Sequence, residues 1–155
     1  MENINNFRRI SDIFLSLSEI CFVCNKCEKF NGRLFPIALI KDIVFRSYII
    51  EIGLKAILAY ENKKGTCHKL DKLFNLYSLE TQKALAVKSN YSLDELKSKL
   101  HDNAMIFVEW RYFYEIIETG KTLNSDDEFL NQLLDVLILY ISELRLKLGL
   151  DKEYH

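Results

Sequence analysis

The sequence predicts an all-α fold, an antiparallel bundle of about five helices. Apolar residues recur at spacings of three and four over long stretches, which is the period of helices that bury one face. The 155 residues include only one Pro and five Gly, so few positions interrupt a helix. Hydrophobic residues make up 49% of the chain and charged residues 28%, a globular composition. The length suits one domain that spans residues 1–155.

Two long helices are predicted in the first part of the chain. The first runs from about Asn5 to Glu28, and Asn31-Gly32 closes it because both residues tolerate a left-handed cap. Its predicted inward residues are Ile10, Ile13, Phe14, Leu17, Ile20, Cys21 and Cys24. Pro36 begins the second helix, where its missing N–H costs nothing. The predicted inward stripe of that helix is Ile37, Ile40, Val44, Ser47, Glu51, Leu54 and Leu58.

The next predicted helices are shorter, and the last two begin at capping boxes. Thr66 is the predicted cap of a third helix with Leu70, Leu73, Phe74 and Tyr77 inward, and "LETQKALAVK" forms a fourth segment. "SLDE" (92–95) begins a long helix, and "SDDE" (125–128) begins the last one, which Gly149 ends. The stripe of the long helix is Leu93, Leu96, Leu100, Ala104, Phe107, Arg111 and Tyr114. The stripe of the last helix is Phe129, Leu133, Leu137, Tyr140, Leu144 and Leu148.

Charge and hydropathy limit the classes of partner. The net charge is −1, whereas proteins that coat nucleic acid are far more basic, so any such contact would come from a local patch. No apolar window reaches the length of a membrane span, and the N-terminal segment lacks the pattern of a signal peptide. We therefore expect a cytoplasmic protein with reduced cysteines and no membrane partner.

A cysteine pair raises the question of zinc. Cys24 and Cys27 form a C-x-x-C, and Cys67-His68 would complete the four nitrogen and sulfur ligands of a tetrahedral site. The pair nevertheless falls inside a helical pattern, where a free cysteine behaves as a small core hydrophobe. We predict free thiols, no metal and no cofactor.

The segment "FVEWRYFYE" (107–115) places an arginine on a predicted inward stripe. Burying an unpaired guanidinium is costly, and Glu51 occupies a matching position on the second helix. A bidentate ion pair between Glu51 and Arg111 would allow both to be buried. Lys55 lies one turn after Glu51 and Glu115 one turn after Arg111, which would extend the pair to a network.

This polar cluster has two interpretations. The favoured one is a structural network that sets helix register. In the other, the cluster lines a polar cleft for a phosphate or a base, with Trp110, Tyr112 and Tyr114 as stacking surfaces.

The segment "SYIIEIGLKAILAYENKKGTCHKLDKLFNLY" (47–77) resembles the second and third helices of HEPN domains (higher eukaryotes and prokaryotes nucleotide-binding domains). Those helices show a Glu followed by Leu-Lys-Ala, then Gly-His-x-Leu-x-x-Leu-Phe after a loop. The matching residues are Glu51, Leu54, Lys55, Ala56, His68, Leu70, Leu73 and Phe74, with Gly65 displaced from the His by two residues. "FVEWRYFYE" also resembles the Arg-Tyr-x-x-Glu helix of some members.

The resemblance implies a small antiparallel bundle, commonly a homodimer. Many HEPN proteins are ribonucleases of toxin–antitoxin or antiviral defence systems, in which four to six residues separate an Arg from a following His. After Arg111 the corresponding positions hold Ile116, Ile117 and Glu118, so the usual nuclease motif is missing. RNA cleavage without metal needs a group that moves the proton of the 2′-hydroxyl, a role that His suits best at neutral pH.

Three functional hypotheses follow. The first is a non-catalytic HEPN-like binding module of a bacterial toxin–antitoxin or defence system, which docks a nucleotide, RNA or a protein partner. Its binding residues would be Glu51, Lys55, His68, Trp110, Arg111 and Tyr114. The second is an atypical HEPN ribonuclease that uses Arg111, Glu115, Tyr112 and His68, or His101. The third is a dimerising interaction protein that pairs with a nucleotidyltransferase or an antitoxin.

Overall fold

Six helices make up the described part of the chain, which in this computed structural model covers residues 2–24, 36–106 and 126–150. They are α1 (Glu2–Cys24), α2 (Pro36–Tyr60), α3 (Leu70–Asn75), α4 (Leu79–Lys88), α5 (Leu93–Asp102) and α6 (Asp127–Lys147). These ranges contain no strand, so the predicted all-α class is confirmed.

Helix α2 lies at the centre of the helical assembly. It is apolar on nearly every side, which is typical of a helix surrounded by others. Helices α1, α3 and α6 pack against it. Its fully buried residues include Ile49, Ile50, Leu54, Ile57 and Leu58. Two polar residues predicted on its inward stripe, Ser47 and Glu51, are also buried, and the Ser47 hydroxyl donates to the Ile43 carbonyl oxygen of the same helix.

Helix α1 approaches α2 through residues spaced by seven. Its buried residues are Phe7, Ser11, Phe14, Ser18 and Cys21. A Cβ atom added at Gly53 of α2 would lie 2.6 Å from Phe14 Cε2, so the glycine is what admits the phenylalanine ring. The packing of Phe14 against α2 therefore depends on the absence of a side chain at residue 53.

Part of the predicted inward face of α1 is wrong. Ile13 and Ile20 are 47% and 49% exposed, and two serines are buried instead. The Ser11 and Ser18 hydroxyls donate to carbonyl oxygens three and four residues earlier in the same helix, so their burial leaves no hydroxyl unsatisfied. Apolar periodicity assigns serine to the outside, which explains the error.

Several helix ends lie where the sequence predicts them. Helix α2 begins at Pro36, and the capping box at Ser92 and Glu95 makes both of its reciprocal bonds, of 2.8 and 3.2 Å. Gly149, in the left-handed conformation with φ +68°, follows the end of α6. These signals are local in the chain, so they hold whatever the packing is.

The predicted cap of the third helix is wrong. Helix α3 begins only at Leu70, and Lys69, its N-cap residue, makes no side-chain capping bond. The Leu70 N–H instead donates to the Ala104 carbonyl oxygen at 3.3 Å. A tertiary contact therefore supplies the acceptor for a free N–H at the start of α3, which Thr66 was expected to supply. The inward residues Leu70, Leu73, Phe74 and Tyr77 are buried as predicted.

The last helix also begins differently. Asp126 is its N-cap residue, and its carboxylate accepts from the Phe129 N–H at 3.0 Å. A cap at Ser125 is therefore wrong, because an aspartate one residue later supplies the acceptor. Asp126 is also held by Lys99 at 2.7 Å, which links α5 to the start of α6.

The long fifth helix is wrong as well, because α5 ends at Asp102 and a turn covers residues 103–105. Asn103 is buried at the turn. Its side chain donates to the Lys99 carbonyl oxygen at 2.9 Å and accepts from the Asp126 N–H at 3.3 Å. Asparagine competes for backbone groups in this way and so favours helix ends. The register that placed Arg111 in line with Leu100 and Ala104 is thereby interrupted.

A buried arginine is present, but at a position the sequence analysis did not consider. Arg145 of α6 is 3% exposed. Its Nη1 atom donates to the Ser11 hydroxyl at 2.7 Å and to Asp12 Oδ1 at 2.6 Å. The ion pair joins α1 to α6.

Candidate functional site

A buried carboxylate organises two cationic or polar side chains near the middle of α2. Glu51 is 3% exposed. Its Oε1 atom accepts from Lys55 Nζ at 2.6 Å and lies 2.9 Å from His68 Nδ1. Lys55 follows one turn later on the same helix, whereas His68 comes from the loop before α3. We call these three residues the Glu51 cluster.

The loop that carries His68 is packed tightly against the helices. Asn62, in the left-handed conformation with φ 59°, ends α2, and the Lys63 N–H returns to the Leu58 carbonyl oxygen at 2.8 Å. A Cβ atom at Gly65 would lie 2.7 Å from Leu58 Cδ1 and 2.8 Å from Leu73 Cδ2. A larger residue at position 65 would force these leucine methyl groups to shift, so the glycine favours the close approach of the loop, whose next residues reach Glu51.

In the Glu51 cluster the buried carboxylate accepts hydrogen bonds, and the two donor side chains reach the surface. An ionised carboxylate can only accept, so His68 donates through Nδ1 and its Nε2 atom is available to a ligand. The His68 side chain is 61% exposed and that of Lys55 25%, so both reach the surface. Glu51 Oε2 is buried with no hydrogen-bond partner within the described ranges. The arrangement can bind an anion, and its carboxylate–imidazole pair can also orient a histidine for proton transfer.

The predicted site is only partly within the described residues. Glu51, Lys55 and His68 are brought together. Trp110, Arg111, Tyr112, Tyr114 and Glu115 lie outside the described residues, so the pairing of Glu51 with Arg111 stays a prediction. His101 contacts a different carboxylate: its side chain is 77% exposed, and Nδ1 lies 3.3 Å from Asp71 Oδ2.

A second polar group, around Glu61, was missed by the sequence analysis. The Glu61 carboxylate accepts from the Ser78 N–H and hydroxyl, from the Thr81 hydroxyl and from Lys63 Nζ, the last at 2.7 Å. Burial alone would raise the pKa of Glu61, but the hydrogen bonds outweigh it and lower the pKa from 4.5 to about 2. The donors to Glu61 lie up to 20 residues away in the chain, so no spacing in the sequence indicated this group.

The lowered pKa of Glu61 predicts acid sensitivity. Because the folded-state pKa lies below the unfolded value, the stabilisation is present above pH 4.5 and is lost as the pH falls towards about 2. After allowance for solvent screening we expect about 1–2 kcal/mol from this group. Urea unfolding of Glu61→Gln should show that loss already at neutral pH and a weaker acid dependence. The exposed Glu143→Gln is the control, and equal acid dependence in Glu61→Gln and the unmodified protein would contradict the prediction.

No group of three or more His, Cys, Asp or Glu side chains that could hold a metal occurs in the described ranges. Cys21 is buried and Cys67 half-buried, and neither forms a disulfide. That the cysteines bind no metal stays a prediction. Cys27 lies outside the described residues, as does the Cys24 side chain.

No protein-family model, curated protein or solved structure matches this sequence. Membership of the HEPN family therefore stays a prediction that rests on residues 47–77 and 107–115. Of the helices described, none combines the length and apolar character needed to cross a bilayer.

Proposed function

We propose that the chain is a non-catalytic helical binding module that docks single-stranded RNA, with the Glu51 cluster as part of the contact surface. The antiparallel HEPN-like topology and the homodimer belong to the same proposal, as does a role in a toxin–antitoxin or defence system. Two pairs of exposed apolar side chains support the proposed contact between subunits of the homodimer. They are Ile13 and Ile20 on α1, and Leu139 and Leu146 on α6. Each pair is spaced by seven residues and so lies on one face of its helix.

The observation that carries the proposal is the exposed imidazole of His68 beside the half-buried ammonium of Lys55, both held by one buried carboxylate. RNA-binding proteins use cations for the phosphates and flat rings for unstacked bases. Lys55 supplies a cation and His68 a ring, and Glu51 restricts both, which lowers the entropy lost on binding. Lys69 and Lys72 follow His68 closely in the chain and add positive charge.

The test is the binding of a fluorescent single-stranded RNA, followed by anisotropy at low ionic strength. His68→Ala should weaken binding about tenfold, the loss expected for one stacking or charge-assisted contact. His101→Ala is the matched control, because His101 is also exposed and also paired with a carboxylate. Thermal melts of both variants should stay close to that of the unmodified protein. Equal RNA affinity of the two variants would remove the Glu51 cluster from the proposal.

The Glu51–His68 contact favours a second candidate function, an atypical ribonuclease. A carboxylate that fixes an imidazole can orient it to take a proton from a 2′-hydroxyl, and Lys55 can stabilise the developing negative charge. The same RNA, incubated with chelator present, distinguishes the two functions. Cleavage that His68→Ala abolishes and His101→Ala preserves would establish the enzyme and refute the non-catalytic module.

A further inference from the structure

A polar pocket lies between the first turns of α1 and the end of α2. Its volume is about 510 Å³, within the range of small-ligand clefts. It shares no residue with the Glu51 cluster. Ala59, which is buried, forms its apolar wall. The other described residues that line it are polar, and four of these are asparagines: Asn3, Asn5, Asn6 and Asn62.

The cations of the pocket come from two separate segments. Arg9 belongs to α1, and Lys63 and Lys64 belong to the loop after α2. Lys63 Nζ is fixed at 2.7 Å from both Glu61 Oε2 and the Leu76 carbonyl oxygen. Arg9 Nη2 contacts the Asn6 amide oxygen at 3.5 Å. Lys63 is thus held by the Glu61 carboxylate, while Arg9 and Lys64 also line the pocket.

The charge of the pocket is positive. None of the described residues that line it is Asp or Glu. If Glu61 is counted against Lys63, Arg9 and Lys64 still contribute two positive charges. An occupant must therefore carry several negative charges and offer acceptor oxygens.

We propose that this pocket binds a small organic or inorganic polyphosphate. Arginine and lysine match phosphate oxygens, with arginine able to form two parallel bonds, and the asparagine amides supply additional donors. A strand of RNA fits less well, because strand-binding grooves also need aromatic rings on which bases stack. Among the described residues that line the pocket there is no aromatic side chain. This assignment is independent of the proposed RNA contact at the Glu51 cluster.

The probe is inorganic triphosphate, titrated calorimetrically into the full chain at low ionic strength. The double variant Arg9→Gln/Lys64→Gln should weaken affinity at least about tenfold, the loss of one or more charge-assisted contacts. Lys83→Gln/Lys147→Gln is the matched control, since it removes two exposed positive charges from other helices. The control should change affinity less than about twofold, as expected of distant screened charges. His68→Ala should leave triphosphate binding unchanged, which separates this site from the Glu51 cluster.

Two further ligands identify the source of the phosphates. Tighter binding of a nucleoside triphosphate than of triphosphate would support an organic ligand held by the amides, and equal binding would support recognition of the phosphates alone. The absence of triphosphate binding would overturn the proposal, as would equal losses in the two double variants. Displacement of triphosphate by a single-stranded RNA of higher affinity, lost in Arg9→Gln/Lys64→Gln, would overturn the assignment to a small ligand.

Discussion

Arg145→Ala should lower the free energy of unfolding by about 2–5 kcal/mol, from the lost packing of a buried side chain together with the loss of an ion pair. Arg145 is 3% exposed and donates to Ser11 and Asp12, so its loss removes a link between α1 and α6. The Asp12 side chain is 34% exposed and regains water, whereas the space left by the arginine lies in the interior and adds a packing loss.

Urea unfolding of four variants tests this expectation. Lys147→Ala is the control, because Lys147 is an exposed residue of the same helix and should change stability by less than about 0.5 kcal/mol. Asp12→Ala and the double variant complete a cycle, in which the double variant should cost less than the sum of the single ones. A stability of Arg145→Ala equal to that of Lys147→Ala would show that the pair contributes nothing.

Gly53→Val should destabilise the protein by about 3 kcal/mol, near the upper end of over-packing costs. A Cβ atom at residue 53 would lie 2.6 Å from Phe14 Cε2, and the Phe14 ring is fully buried and has no room to retreat. Helix propensity favours the opposite result, since replacing a helical glycine by alanine ordinarily stabilises by about 1 kcal/mol. A loss of stability in Gly53→Ala would therefore identify packing as the cause.

A smaller side chain at residue 14 should restore part of the stability lost on substitution of Gly53. Phe14→Leu removes part of the side chain that the new Cβ meets, so Phe14→Leu/Gly53→Ala should be more stable than the two single losses predict. Thermal melts of Gly53→Ala, Gly53→Val, Phe14→Leu and the double variant supply the comparison. A gain of stability in Gly53→Ala would contradict the close approach of α1 and α2.

Three helix ends that depend on neighbouring residues in the chain were predicted correctly from the sequence. The capping box at Ser92 and Glu95, the start of α2 at Pro36 and the end of α6 before Gly149 were all predicted. Each involves groups within about one helical turn, whose geometry is set by the helix itself. The apolar stripe of α6 was legible for the same reason: Phe129, Leu133, Leu137 and Leu144 are buried as predicted.

Features that depend on neighbouring helices were not predicted. Phe14 of α1 meets Gly53 of α2, and Ser11 of α1 accepts from Arg145 of α6, so the residues that α1 buries depend on its neighbours. The Asn103 side chain at the end of α5 accepts from the Asp126 N–H, which lies 23 residues later. Arg145 meets Asp12, which lies 133 residues earlier. In each case the partner is distant in the chain, so no spacing rule brings the two residues together.

In the Glu51 cluster, too, one contact follows from helix spacing and the other from tertiary packing. The sequence by itself determined that Lys55 lies beside Glu51, because residues four apart on a helix are neighbours. It also determined the helical class and the apolar character of α2. The HEPN resemblance included His68 in the same binding set, but only the tertiary structure showed that His68 contacts Glu51, since 17 residues and a loop separate the two. That loop reaches Glu51 because Gly65 packs against Leu58 and Leu73, a contact made only once α2 and α3 are together.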